Sequence, residues 1–284
     1  MQTIATQLTH ARAALSAVAG DVAALEARLL AAHAWGMTTE ALVKDADQPR
    51  DHVALQHLLD RRLAYEPLSQ IIGEKDFWKD SFRVTRDVLT PRADSETIIE
   101  TLLRLRPNTS ARLRLLDLGT GSGCLLLSAL REYAQAHGTG VDQSQAALAV
   151  ASHNAHALKL ADRVRLLRSN WCSALDGMFD VILANPPYIP LADIATLAAD
   201  VRDHEPHAAL DGGADGLDCY RSILGQIAPF AAPHALLLFE VGMGQAEDVA
   251  ALGRAAGFTL LDIIPDLAGI ARVVALEITT TTES

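Results

Sequence analysis

The chain has 284 residues, half of them hydrophobic, and its 24 Lys+Arg against 35 Asp+Glu give a net charge of −11. That length suits one large domain with a small one, and no apolar run reaches the roughly 18 residues that cross a bilayer, so a cytoplasmic protein with no membrane contact is expected. An acidic balance without a basic run disfavours stable nucleic-acid binding, which needs clustered Lys and Arg, and suits a basic protein partner.

The first 65 residues read as helical. MQTIATQLTHARAAL repeats apolar residues at Ile4, Leu8, Ala11 and Leu15 and lacks the basic-then-apolar order of a signal peptide. GDVAALEARLLAAHAWG offers Asp21 as N-cap, Val22, Leu25 and Leu29 as one face and Gly36 as a stop, and PRDHVALQHLLDRRLAYEP repeats the pattern up to Pro67. A small helical bundle is expected. Next, IIGEKDFWKDSFRVTRDVL alternates Phe82 with Val84 after a polar Lys79-Asp80-Ser81 turn, which predicts a hairpin joining two domains. SETIIETLLRL then starts a helix that Pro107 to Arg112 breaks.

From Leu113 the texture changes to short apolar strands alternating with helices: RLLDLG, GCLLLSALREYA, GTGVD, QAALAVASHNAHAL, RVRLLRSN, FDVILAN, YRSILGQIAPFA, ALLLFEVG and ARVVALEIT. Such alternation predicts a mostly parallel sheet with helices on both faces and ligands at the carboxyl ends of its strands. Cys124, Cys172 and Cys219 are too scattered for a disulfide framework. The pairs His153/His156 and His204/His207 lack the further ligands of a zinc site, so no metal is expected.

The first of these strands runs into the loop Gly119-Thr120-Gly121-Ser122-Gly123 and a helix. Its glycines let backbone approach a ligand closely, and the helix start presents free amides. A dinucleotide fingerprint would place its third glycine where Cys124 stands, and Asp117 just before the loop would repel a pyrophosphate. A ligand with a positive centre fits better. Asp142 closes the second strand, where it can accept both hydroxyls of a ribose or cap the following helix. FDVILANPPYIP ends the fourth strand in Asn185-Pro186-Pro187-Tyr188, a stiff segment whose prolines fix φ and offer carbonyls without competing amides.

Taken together, these three strand ends resemble the S-adenosylmethionine-dependent methyltransferases that act on nitrogen conjugated to an sp² system. YEPLSQIIGEKDFW, VLTPRADSETIIE, EPHAALDGGADGLDCYR and LFEVGMGQ narrow the likeness to the HemK/PrmC family, the peptide chain release factor N5-glutamine methyltransferases. The resemblance implies an α/β fold: a seven-stranded, mostly parallel, Rossmann-like methyltransferase domain over 91–284, a helical substrate-docking domain over 1–70 and a β-hairpin linker over 71–90. It implies S-adenosylmethionine held by Gly119, Thr120, Gly121, Ser122, Gly123, Asp142, Trp171 and Asn185, with Trp171 beside the adenine. It also implies a class I release factor as substrate, its GGQ-loop glutamine held by Asn185, Pro186, Pro187 and Tyr188, of which Asn185, Pro186 and Tyr188 act in catalysis. Ala93-Asp94-Ser95-Glu96 departs from a Pro-Glu-Thr-Glu-like run. Two other readings stand beside this one, an adenine-N6 or cytosine-N4 nucleic-acid methyltransferase and a non-catalytic cofactor-binding module. The first would need an extruded base and a phosphate-binding surface.

Overall fold

The computed structural model describes residues 1–278 and divides into two compact units, Met1–Glu74 with Ala198–His204, and Lys75–Leu197 with Glu205 onward. The first unit contains strand β1 (Gln2–Thr3), helices α1 (Ile4–Ala19), α2 (Ala23–Trp35) and α3 (Thr39–Lys44), strand β2 (Pro49–Arg50), and helices α4 (Val53–Leu63) and α5 (Leu68–Ile72). Ile4, Ala11, Leu15, Ala27, Leu30, Leu42, Leu55 and Ile71 form its core.

Helix α2 buries a different face from the one its large apolar residues predict. Ala23, Glu26, Ala27, Leu30 and Ala31 point inward, while Val22 and Leu25 are exposed and Leu29 is half-buried. Alanines let neighbouring helices approach closely, and Glu26 is admitted because Arg62 Nε donates to it at 2.8 Å. A buried charge is tolerated only when paired. Asp21 does not cap α2 either, because residues 20–22 form a 3₁₀ turn and Val22 occupies the cap position.

The second unit begins in the hairpin of β3 (Glu74–Phe77) and β4 (Asp80–Arg83), whose turn falls at Trp78-Lys79 and so precedes the predicted one. Trp78 adopts φ 58° there, fixed by its amide on Glu96 at 2.7 Å and its indole N–H on Glu132 at 2.7 Å. Polarity alone therefore misplaces the turn. There follow α6 (Glu96–Leu105), β5 (Arg114–Leu118), α7 (Cys124–Glu132), β6 (His137–Asp142), α8 (Gln145–Ala157), β7 (Val164–Arg168) and β8 (Phe179–Ala184). The short α9 (Ala199–Arg202) lies in the segment grouped with the first unit. The chain closes with α10 (Asp218–Ile227), β9 (Ala231–Glu240), α11 (Ala246–Ala255), β10 (Phe258–Pro265) and β11 (Ala271–Ile278).

Seven strands pair in the order β10-β11-β9-β8-β5-β6-β7, parallel except for β11, which is antiparallel to both neighbours. The expected seven-stranded, mostly parallel sheet is thus observed. Alternate residues of its central strands serve opposite layers, as the period of two requires. Leu115, Val181, Leu183 and Leu236 pack with α6 and α7, whereas Leu116, Ile182, Leu237 and Phe239 pack with α10 and α11. Connections leave β5 outward to β6 and β7, then cross back to β8 on its other side. That reversal opens a crevice beyond the carboxyl ends of β5 and β8, where ligands of such sheets bind.

Candidate functional site

A cavity of about 460 Å³ occupies that crevice and lies wholly in the second unit. Gly119, Thr120, Gly121, Ser122, Asp142, Trp171, Asn185 and Pro187 line it. Gly123, Pro186 and Tyr188 do not.

The glycine loop is held by two amides, those of Gly119 and Thr120, which both donate to the Val141 carbonyl at 2.9 Å. Gly119, Gly121 and Gly123 have φ of 76°, 54° and 81°, a region L-residues avoid. At Gly123 the reason is also packing: a β-carbon would lie 3.3 Å from the Ala151 Cβ of α8. Behind the loop, the buried Asn154 donates to the Ser122 carbonyl at 2.8 Å and brackets the backbone of Arg83. Trp171, at φ 50°, lays its ring beside Gly119, where a β-carbon would stand 3.6 Å from the indole. An uncovered backbone faced by a flat indole suits the passage of a slender ligand.

Asp142 is the acid at the end of β6 that faces the glycine loop. Its Oδ2 accepts from the Gly121 amide at 3.0 Å and its Oδ1 from the Ser144 amide at 2.9 Å, which fixes the carboxylate and leaves each oxygen a further lone pair. The cap of α8 is Ser144, whose hydroxyl accepts from the Ala147 amide at 3.1 Å, so Asp142 is not spent on capping. Asp117 behaves otherwise than its sequence position suggests. It is 1% exposed and takes the Thr120 hydroxyl at 2.6 Å, and burial pushes its carboxyl up to about 7. Of the two acids beside the glycine loop, Asp142 is the one that lines the cavity, together with Asp87 and Asp211 farther along its wall.

Residues 185–188 are clamped from behind. The Tyr188 carbonyl accepts from Gln245 Nε2 at 2.9 Å, the Ile189 amide donates to Leu210 at 3.1 Å, and the Gly212 amide returns to Ile189 at 2.9 Å. Three glycines allow this closeness: a β-carbon at Gly212 would lie 2.8 Å from Tyr188 Cα, at Gly216 2.3 Å from its carbonyl oxygen, and at Gly242 3.0 Å from its ring. Hence the glycines of DGGADG and EVG make room for this strand end. Pro186 is buried, and no hydrogen bond among the described residues takes its carbonyl. Asn185 Nδ2 donates to Ser95 Oγ at 3.3 Å, while its Oδ1 has no partner among the described residues. Burial raises the Tyr188 phenol further above its ordinary value, so it stays neutral.

Several residues at the site escape reasoning from single motifs. Thr90 and Arg92 line the cavity, and Glu205 binds both, accepting from Arg92 at 2.7 Å and from the Thr90 amide at 3.4 Å. The segments VLTPR and EPHAAL are thereby joined. Ser95 lines the cavity beside Asn185, and Glu240 is 1% exposed, with burial pushing its carboxyl up to about 7. Their signal lay in the quoted segments, but not their pairing.

Residues 6–73 match the family model of the PrmC N-terminal domain, and residues 94–201 that of the methyltransferase small domain. The chain is 42% identical over 247 residues to a release factor glutamine methyltransferase of Rhodospirillum rubrum, covering 86% of this chain and 75% of that protein. It is 43% identical over 264 residues to the one of Cereibacter sphaeroides, covering 92% and 93%. In fold, the crystal structure of a methyltransferase from Pyrococcus furiosus is similar at a TM-score of 0.52 and 17% identity, over 70% of this chain and 88% of that one.

Proposed function

Because the chain belongs to the release factor glutamine methyltransferase family, we propose that its cavity and Asn185-Pro186-Pro187-Tyr188 strand end methylate the side-chain amide nitrogen of the GGQ-loop glutamine in class I release factors. The observation that carries the reading is at Asn185. Its Nδ2 is engaged by Ser95, which leaves the Oδ1 of this cavity-lining residue without a partner among the described residues and able to accept a substrate N–H.

S-adenosylmethionine is the cofactor of this family, and when bound it supplies an electrophilic methyl group on a positively charged sulfur. The donor set fits it: a glycine loop open to close approach, a fixed carboxylate at Asp142 for the ribose hydroxyls, and the Trp171 indole for the adenine. An amide nitrogen is a poor nucleophile because its lone pair is delocalised. Asn185 Oδ1 and the Pro186 carbonyl each accept one N–H and turn the nitrogen's lone-pair direction toward the methyl. Such positioning can contribute roughly 7–11 kcal/mol to lowering a barrier. Tyr188 stiffens the strand end, pinned by Gln245 and the three glycines. After transfer the nitrogen is positively charged and acidic and sheds its proton, so no general base is needed.

Residues 1–70 serve in this account to dock the factor, and 71–90 link them to the methyltransferase domain. The protein acts in the cytoplasm, where its substrate is made; among the described residues no helix is long and apolar enough to cross a membrane. Incubation with methyl-labelled S-adenosylmethionine and, separately, release factor, its GGQ Gln→Ala variant and oligonucleotides tests the reading. Label is expected on the intact factor alone, and label on oligonucleotides or on the Gln→Ala factor would overturn it.

A further inference from the structure

The stretch Asn185-Pro186-Pro187-Tyr188 is held at its near end by β8, whose last residue, Ala184, pairs with Leu118 and Phe239 in the sheet. Pro186 and Pro187 have fixed φ but no amide, so they add no backbone donor that could tie the stretch down. The next group to be tied is the peptide between Tyr188 and Ile189. Its N–H donates to the Leu210 carbonyl at 3.1 Å, and its carbonyl accepts from Gln245 Nε2 at 2.9 Å, so both ends of one peptide plane are held.

Gln245 is placed for that second bond and for little else. It occupies the cap position of α11, yet its side chain makes no capping bond there and reaches instead to a residue 57 positions earlier. Its amide has one orientation. The Gly242 amide donates to Oε1 at 3.0 Å, and a backbone N–H can only donate, so Nε2 must face the carbonyls of Tyr188 and Gly216, at 2.9 and 3.4 Å. Two glycines clear its path: a β-carbon at Gly216 would lie 2.5 Å from Nε2, and one at Gly242 2.7 Å from Oε1. One half-buried side chain thus joins the loops that follow β8 and β9 to the DGGADG turn.

We infer that Gln245 is a positioning residue: by donating to the Tyr188 carbonyl it fixes the far end of this strand end, and so sets where the Asn185 side chain and the Pro186 carbonyl stand when they accept the substrate N–H bonds. This rests on the role given to Asn185 and Pro186 above.

The test is single-turnover methylation of release factor at saturating cofactor by the full chain and its variants. Gln245→Glu keeps the size and the acceptor for the Gly242 amide but sets an oxygen against the Tyr188 carbonyl. It is expected to lower the maximal rate by about 10-fold or more, toward the roughly 10²-fold that a misplacement of about 1 Å costs. Calorimetric cofactor affinity and half-saturation by the factor should both stay within threefold of the parent. Should that variant fail to fold, Gln245→Met, which keeps the length and neither polar contact, is read in its place by the same criteria. The decisive arm uses the Asn185→Ala background, where one of the two aimed acceptors is gone and residues acting through it are coupled: Gln245→Glu should there cost less than a third of the factor it costs in the parent. An equal cost in both backgrounds would show a merely structural role and overturn the inference, as would a maximal rate within threefold of the parent or a loss carried by half-saturation alone. The functional reading is judged separately, by whether the unaltered protein labels the glutamine at all.

Discussion

Gly212→Ala perturbs the strand end without touching the cavity wall. The added carbon would stand 2.8 Å from both the Cα and the carbonyl carbon of Tyr188 and 2.8 Å from Gly216 Cα. Carbons rest about 3.5–4.0 Å apart, so one backbone or the other must retreat by about 1 Å. The Gly212 amide is bonded to Ile189 on the same stretch, which passes the shift toward Asn185. Overpacking of this kind costs about 1–3 kcal/mol of stability, and a misplacement of about 1 Å in a positioned reactant costs about 10²-fold in rate. Single-turnover methylation of release factor should therefore slow by about two orders of magnitude. Calorimetric titration should find cofactor affinity nearly unchanged, because the loop of residues 119–123 and Asp142 are held by other bonds. A folded Gly212→Ala protein with a rate within threefold of the parent would refute the claim that these glycines exist to seat Tyr188.

Asp142→Ala should weaken S-adenosylmethionine by about 1.5–3 kcal/mol, the loss for hydrogen bonds to a charged group, and unchanged calorimetric affinity would remove Asp142 from the site. Glu240, raised by burial from 4.5 to about 7, binds its proton more tightly folded than unfolded. The pH-dependent part of its burial cost vanishes below pH 4.5, where both states are protonated. The cost grows as pH rises toward 7 and then levels off at about 3 kcal/mol. Denaturation curves of Glu240→Gln against the parent should thus diverge in the variant's favour between pH 4.5 and 7, and a constant difference would contradict this. Replacing the exposed Val22 and Leu25 by Asp should raise KM for the factor with cofactor affinity unaltered, and an unchanged KM would remove this face of α2 from docking.

Much of the sheet was legible because its parallel strands are buried on both faces and read as continuous apolar runs. Two neighbours at its far edge were not. Strand β10, FTLLDIIP, lies at the edge and mixes buried, half-buried and exposed positions without clean alternation. Helix α11 buries Ala246, Val249, Ala250 and Gly253, small residues that give little apolar signal. They are small because the helix lies close to the sheet: a β-carbon at Gly253 would come within 2.5 Å of Leu276. The inverted face of α2 has a related origin, with alanines and the Glu26–Arg62 pair inside. At the site, the glycine loop, Asp142 and the strand-end asparagine carry their chemistry locally and could be read from the chain. The Arg92–Glu205 pair and the Ser95–Asn185 bond join residues 113 and 90 positions apart, which only the folded topology brings together.

The central claim is that a rigid strand end aims an amide nitrogen by accepting its N–H bonds. Its most direct measurement is single-turnover methylation of release factor by Asn185→Ala and Asn185→Asp at saturating cofactor. The account predicts a fall of about 10²–10³-fold for the alanine variant, with cofactor affinity changed far less, and partial activity for the aspartate, which keeps an acceptor oxygen at the cost of burying a charge. An Asn185→Ala enzyme as fast as the parent would contradict it.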